Sequence, residues 1–129
     1  MVGHSHSNDP LPCNAAIASI DIILEETLVD VAQRIGAYWK EHLERLAQRH
    51  EIIGDIRGRG LLQGIELVKD RTTREPAFEE GRQIGRLCLE NGLILSVRRG
   101  GSVFRFVPPF TTSEDQMDQA ADILEHAIA

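Results

Sequence analysis

The sequence predicts an α+β domain in which helices pack on a small, mainly antiparallel sheet. Three observations lead there. Apolar residues recur at helical spacing through the first fifty positions, and short glycine-punctuated, β-rich runs follow from Ile52. A capping box then opens a last helix at Ser113. With 129 residues there is room for one domain with a real core, so residues 1–129 are read as a single unit.

The elements follow in order. Gly3 to Pro12 is rich in turn formers and polar side chains, and predicts a loop. Nothing in it would pack or cap by itself, so it reads like a segment from the middle of a larger protein. From Asn14 the pattern is helical: Ile17, Ile20 and Leu24 share a face, and Leu28, Val31, Ile35, Trp39, Leu43 and Leu46 continue the spacing to about His50. Thr27 interrupts this run, which predicts two helices with a bend. Ile52 to Gly60 and Leu61 to Val68 predict two strands, and Lys69 to Pro76 a polar loop.

A helix is expected from about Ala77 to Asn91, closed by Gly92. Leu93 to Val97 and Ser102 to Val107 predict paired strands around Gly100-Gly101, with Pro108-Pro109 stopping the second. In the last helix Ser113 and Gln116 form the capping box, and Glu114 and Asp115 suit the positive end of the helix dipole. Met117, Ala120, Ala121, Leu124 and Ile128 line one face of it.

Composition narrows the function. The chain is 42% hydrophobic and 26% charged, as in an ordinary globular protein, and no apolar run reaches membrane-spanning length. No membrane partner is expected. A net charge of −6 and few aromatics argue against nucleic acid as a partner. The pairs Arg57/Arg59, Arg71/Arg74 and Arg98/Arg99 read as solvated surface. The first residues lack the pattern of a secretory signal, and Cys13 and Cys88 lack paired spacing, which points to free thiols and a cytoplasmic address.

Several motifs have plain structural readings. Gly58, Gly60 and Gly64 imitate a dinucleotide fingerprint, but the third glycine is late and a strand follows, so a glycine-rich bend is expected. His4, His6 and Asp9 could share a metal ion, yet further ligands are distant in sequence, and polar surface is the simpler reading. Cys88 lies in an apolar stretch and reads as a core thiol. The carboxylate pairs Glu25-Glu26, Glu79-Glu80 and Glu114-Asp115 read as solvated or capping.

Arg105 stands apart. It alternates with Phe104 and Phe106 in a strand and shares a face with Val103 and Val107, a costly place for an unpartnered charge. The residues leave two roles open: a structural salt bridge, or a fixed fork that grips a substrate carboxylate through two parallel bonds.

Three segments taken together resemble one family. They are Asn8 to Ala16 (NDPLPCNAA), Ile53 to Asp70 (IGDIRGRGLLQGIELVKD), and Phe104 to Pro109 (FRFVPP) with Thr111. In order and spacing they resemble the class III aminotransferases, with the dialkylglycine decarboxylase branch most similar in the Asp-Pro-Leu-Pro loop and the Val-Phe-Arg segment. The resemblance implies the C-terminal small domain of a fold-type-I pyridoxal-phosphate enzyme, normally a homodimer with its active sites at the subunit interface. Arg105 matches the family's substrate-binding arginine. Residues 1–12 match a cofactor and interface loop, where Ser5 stands in place of a threonine whose hydroxyl meets the cofactor phosphate. In the decarboxylase branch the same loop holds an alkali-metal ion, with Asp9 at the aspartate position and Ser5 and Ser7 at the carbonyl positions.

The resemblance also exposes an absence. Pyridoxal-phosphate chemistry needs a Schiff-base lysine, and neither Lys40 nor Lys69, the two lysines present, matches it. The implied picture is a piece of an aminotransferase that moves an amino group between an amino acid or amine and a keto acid. Its partners would be a large domain absent from this chain, a second subunit, and the amino-acid and keto-acid substrates. Alone, the chain is expected to be inactive. Decarboxylation-dependent transamination of a 2,2-dialkylglycine is the alternative within the family, and a non-catalytic binding or interaction domain is the alternative outside it.

Overall fold

The structure is a computed structural model and describes residues 9–129. The expected α+β class is what it shows: four α-helices and one five-stranded sheet, antiparallel throughout. The chain divides into two compact units, residues 1–31 and 32–129.

In the first unit, α1 spans Pro10–Glu25, four residues earlier than the periodicity suggested. The prolines explain the difference, because a proline in the first helical turn loses no hydrogen bond there and brings a helix-ready φ. Asn14 donates to Pro10 O at 2.9 Å and Ser19 to Ala15 O at 2.8 Å, so both polar side chains turn back onto the helix. None of the residues of α1 is buried; Ile17, Ile20 and Leu24, expected on a core face, are exposed. The bend lies where Thr27 put it. Thr27 takes φ 48°, and its carbonyl accepts from the N–H groups of Asp30 and Val31, which opens α2 (Leu28–Arg49).

The second unit holds the core. From Ala32 onward α2 buries Ile35, Trp39, Leu43 and Leu46 at helical spacing, as expected. The strands β1 (Ile53–Arg59) and β2 (Leu62–Asp70) form a hairpin around the glycine bend. The polar loop that follows contains a strand missed by pattern: β3 (Glu75–Pro76) pairs with the end of β2. Two residues are too few to carry a period, so the sequence gives no sign of it. Next come α3 (Phe78–Glu90), β4 (Ser96–Arg98), a helical turn at Arg99–Gly101, β5 (Val103–Phe106) and α4 (Glu114–Ile128). The order across the sheet is β1-β2-β5-β4. The expected strand at 93–97 begins only at Ser96, because residues 93–95 still belong to the exit from α3.

That exit is a Schellman motif. Gly92 takes φ 91°, its N–H bonds to Leu89 O at 3.1 Å, and the N–H of Leu93 reaches Cys88 O at 2.8 Å. The capping box of α4 forms as read, with Gln116 N–H donating to Ser113 Oγ at 3.2 Å and Ser113 N–H to Gln116 Oε1 at 3.0 Å.

One face of the sheet is covered. Ile53, Ile65, Leu67, Phe104 and Phe106 point into the core with Met117, Ala121 and Leu124 of α4 and Ile84 and Cys88 of α3. Trp39 meets Phe106 edge-on with ring centres 5.1 Å apart. Polar ties hold the helices in place. Asp118 of α4 accepts from Tyr38 Oη at 2.7 Å and lies 2.9 Å from His42 Nε2, both on α2. Arg71 caps the C-terminal end of α2, donating to Ala47 O in its last turn and to His50 O and Glu51 O just beyond it.

The tightest approach is between α2 and the β1–β2 bend. A Cβ built on Gly36 would lie 2.3 Å from Gly60 O, so the two backbones touch. Buried Gln63 bridges them, its Nε2 donating to both Gly36 O and Gly60 O. Gly36→Ala should therefore cost about 3 kcal/mol, the upper end for overpacking, since backbone cannot step aside. Gly92→Ala meets nothing within 4 Å and carries only the left-handed penalty of about 1–2 kcal/mol. Urea unfolding of both variants tests this, and equal losses would sink the idea.

Candidate functional site

The outer face of the sheet is where the sequence-derived arginine ends up. Strand alternation sends Phe104 and Phe106 inward and turns Arg105 outward, so the charge is exposed rather than trapped among core valines. That corrects the expected cost: Val103 is half-buried and Val107 is exposed, and their shared face meets solvent.

Register decides what lies beside Arg105. It stands opposite Gly64 on β2 and Ser96 on β4. Neither offers a charge, and Gly64 offers no side chain. The acids on this face, Asp55 and Glu66, sit opposite one another on β1 and β2 and are both taken by Arg57. Arg57 Nη1 donates to Glu66 Oε2 at 3.0 Å and also to Asp55, and these bonds, Glu66 first, push the guanidinium's pKa up. Two arginines thus share one row of the sheet, and one of them holds the nearby carboxylates. No hydrogen bond or ion pair engages the Arg105 guanidinium among the described residues.

A cavity of about 480 Å³ opens at the end of β5. Arg105, Pro108, Thr111 and Gln116 contribute to its lining with Trp39 and Met117 from the core side. The consecutive prolines fix the chain just after β5, so the arginine projects from a strand and the cavity is bounded by a stiff loop. An exposed planar fork with no internal acid, beside a cavity of this size, can receive a carboxylate in two parallel bonds.

The other sequence-derived residues divide. Ser5 and Ser7, and with them His4 and His6, lie outside the described residues. Asp9 is described and sits at the N-cap of α1, its carbonyl accepting from Cys13 N–H at 3.3 Å. No group of three or more His, Cys, Asp or Glu side chains that could hold a metal occurs among the described residues. Of the three glycines, Gly60 lies in the hairpin bend, while Gly58 and Gly64 are strand residues on β1 and β2 beside it. No helix among the described residues is long and apolar enough to cross a membrane. Sequence reasoning missed Gly64, Ser96 and Arg57 as the residues that decide what Arg105 can do. A glycine inside a strand pattern hints at close approach, but the partner it faces is a matter of register.

Cys88 is fully buried on α3, and burial pushes its thiol up to about 11. Cys13 is exposed. At pH 8 Cys88 therefore holds almost no thiolate and no access, so native protein should react with a disulfide reagent at one thiol, Cys13, and at two only after unfolding. Fast native labelling of Cys88 would contradict the buried placement.

Helices packed on one face of a small antiparallel sheet define an α+β domain of the kind found in transaminases. The class III aminotransferase family model matches residues 2–128. The chain belongs to that family. It is 38% identical to the leucine/methionine racemase of Thermococcus litoralis, over 99% of this chain and 29% of that protein. It is 37% identical to an alanine–glyoxylate aminotransferase 2 homologue of Arabidopsis thaliana, over 89% of this chain and 24% of that protein. Among solved structures, an amine transaminase from an uncultivated Pseudomonas species superposes with TM-score 0.88 at 32% identity, over 99% of this chain and 29% of that one. The chain thus spans less than a third of the length of these relatives.

Proposed function

We propose that this chain is the small domain of a pyridoxal-phosphate-dependent class III aminotransferase and that Arg105 grips the carboxylate of its substrate. The parent enzyme moves an amino group between an amino acid or amine and a keto acid. The observation that carries this is the division of charge on the outer face: Arg57 occupies Asp55 and Glu66, leaving Arg105 exposed beside Gly64 and Ser96 and among the residues that line the cavity. The relatives' names support it, since leucine, methionine, alanine and glyoxylate all carry a carboxylate. They include aminotransferases, which favours amino-group transfer over decarboxylation.

Arg105's own part is binding and orientation. A guanidinium on a strand, flanked by hydrogen-bonded neighbours, holds a planar anion at a fixed angle, and the missing side chain at Gly64 leaves that approach open. In the same reading the residues ahead of α1 belong to a cofactor and interface loop in a homodimer, shorter than the 1–12 read from the sequence because Pro10 to Pro12 lie in the first turn of α1. There we assign Ser5 to the cofactor phosphate and, as the decarboxylase branch implies, Asp9, Ser5 and Ser7 to an alkali-metal ion.

Pyridoxal phosphate supplies an electron sink when bound, but its anchoring does not fit this chain. A Schiff-base lysine is activated by a lowered pKa. Lys69 is the reverse: its hydrogen bond to Glu75, at 2.7 Å, pushes its pKa up. Lys40 is exposed and lies 3.7 Å from Glu44. The lysine that holds the cofactor belongs to the part of the enzyme outside this chain. The 129-residue chain mixed with pyridoxal phosphate should give no borohydride-trapped adduct at Lys40 or Lys69 beyond that of an unrelated surface lysine. Mass spectrometry reads the outcome, and stoichiometric trapping at either lysine overturns this assignment.

The function itself is tested at Arg105 in the full-length enzyme. Arg105→Ala should lower kcat/KM for amino acids and keto acids roughly thirty- to thousand-fold, and Arg105→Lys should restore only part of it. Amines without a carboxylate should lose far less. Equal losses on both substrate types, with a lowered melting temperature, would instead mark a structural role.

A further inference from the structure

The hairpin of β4 and β5 carries charge of one sign. Between Asn91 and Ser113 there are three arginines, Arg98, Arg99 and Arg105, and no acid, in a chain whose net charge is −6. Acids at its borders are already engaged: Glu90 with Arg86, Glu114 with Arg34, and Glu66, two strands away, with Arg57. Arg98 therefore meets no carboxylate among the described residues. It meets Ser96 instead, whose Oγ accepts from Arg98 Nε at 2.9 Å.

Ser96 is also the residue directly opposite Arg105, with the two backbones about 5 Å apart. Two positions along β4, Arg98 lies on the same outer face. Its bond to Ser96 draws the Arg98 guanidinium along the strand toward the row that Arg105 occupies. Two like charges in neighbouring positions repel, and no acid of this hairpin offsets them. An anion would.

The donors indicate which anion. Arg105 alone can hold a carboxylate through two parallel bonds, which engage both of its oxygens. Arg98 has both Nη groups left after its bond to Ser96, and the Ser96 hydroxyl keeps its proton to donate. A carboxylate already held offers this second set of donors little. A group with a third oxygen and a second negative charge suits them, and matches two guanidinia charge for charge. Phosphonates and phosphate monoesters have both, and Gly64, on the other side of Arg105, sets no side chain against a tetrahedral head.

We propose that Arg98 determines specificity: with Arg105 and Ser96 it selects an amino donor that ends in a phosphonate or a phosphate monoester. This rests on the reading of Arg105 as the fork for the substrate's anion, and names the class of amine beyond it. The keto acid uses Arg105 alone, whereas the dianionic end of the amine uses both arginines.

Calorimetry on the full-length enzyme reads binding without turnover. The probes are methylphosphonate and methyl phosphate, doubly ionised above about pH 8, with acetate and succinate as carboxylates. At least one tetrahedral dianion should bind about ten-fold or more tighter than acetate, and the tighter of the two names the source. Arg98→Gln should weaken that dianion roughly ten- to hundred-fold and leave acetate within about two-fold. Arg98→Lys keeps the charge without the fork and should recover part of the loss. Arg98 is exposed, so both variants should melt within about 2 °C of the parent. Equal affinity for acetate and both dianions overturns the proposal, as does an equal loss on all of them in Arg98→Gln. Succinate bound tighter than either tetrahedral anion overturns it in favour of two carboxylates. Arg105→Ala separates the two readings. If it abolishes acetate binding while Arg98→Gln changes nothing, selection by Arg98 falls and the carboxylate fork stands. If Arg98 selects dianions in an enzyme that transfers no amino group, the selection stands and the proposed activity falls.

Discussion

The contact between Gly36 and Gly60 sets the geometry of the second unit. Helix α2 can approach the β1–β2 bend this closely because neither backbone carries a side chain at the touching point, and Gly60 takes φ 54° to turn its carbonyl toward the helix. Gln63 then ties both carbonyls from beneath. Once that distance is fixed, Trp39 lands on Phe106 one turn further along α2, and the phenylalanine face of β5 becomes the floor of the core. A buried amide spanning two backbones is a demanding arrangement, since a donor left unbonded in the interior costs more than a made bond gains. It specifies one seating of helix on sheet.

The outer face follows from the inner one. With Phe104 and Phe106 committed inward, the period of a strand leaves Arg105 no choice but to face out. What it meets there comes from pairing rather than from its own neighbours in sequence. Antiparallel register sets Asp55 against Glu66 and Arg57 against Gly64, so both carboxylates are engaged by one arginine on β1 and β2. Arg105, one strand over, inherits the glycine and a serine. Exposed ion pairs such as those of Arg57 add little stability. Their consequence here is to remove the carboxylates that would otherwise compete for Arg105.

Much of the fold was legible because local rules and tertiary structure agree. The capping box at Ser113, the glycine exit at Gly92 and the stripe from Ile35 to Leu46 each have one cheap solution, and each is found. The pattern misled where a neighbour had the deciding vote. Ile17, Ile20 and Leu24 look like a core face, yet periodicity reports amphipathicity without saying what covers it. Helix α1 starts ahead of its apolar period because a first helical turn tolerates Pro10 and Pro12, which elsewhere break helices.

By itself the sequence determined the class of fold, the order of its elements, the hairpin bend and the singular position of Arg105. Those follow from period, capping and turn chemistry, which act over a few residues. Tertiary structure alone decided that Arg105 is exposed, that its cross-strand neighbours are Gly64 and Ser96, and that Arg57 takes Asp55 and Glu66. Register and helix seating bring together residues up to 80 positions apart, and no short window of sequence contains that information.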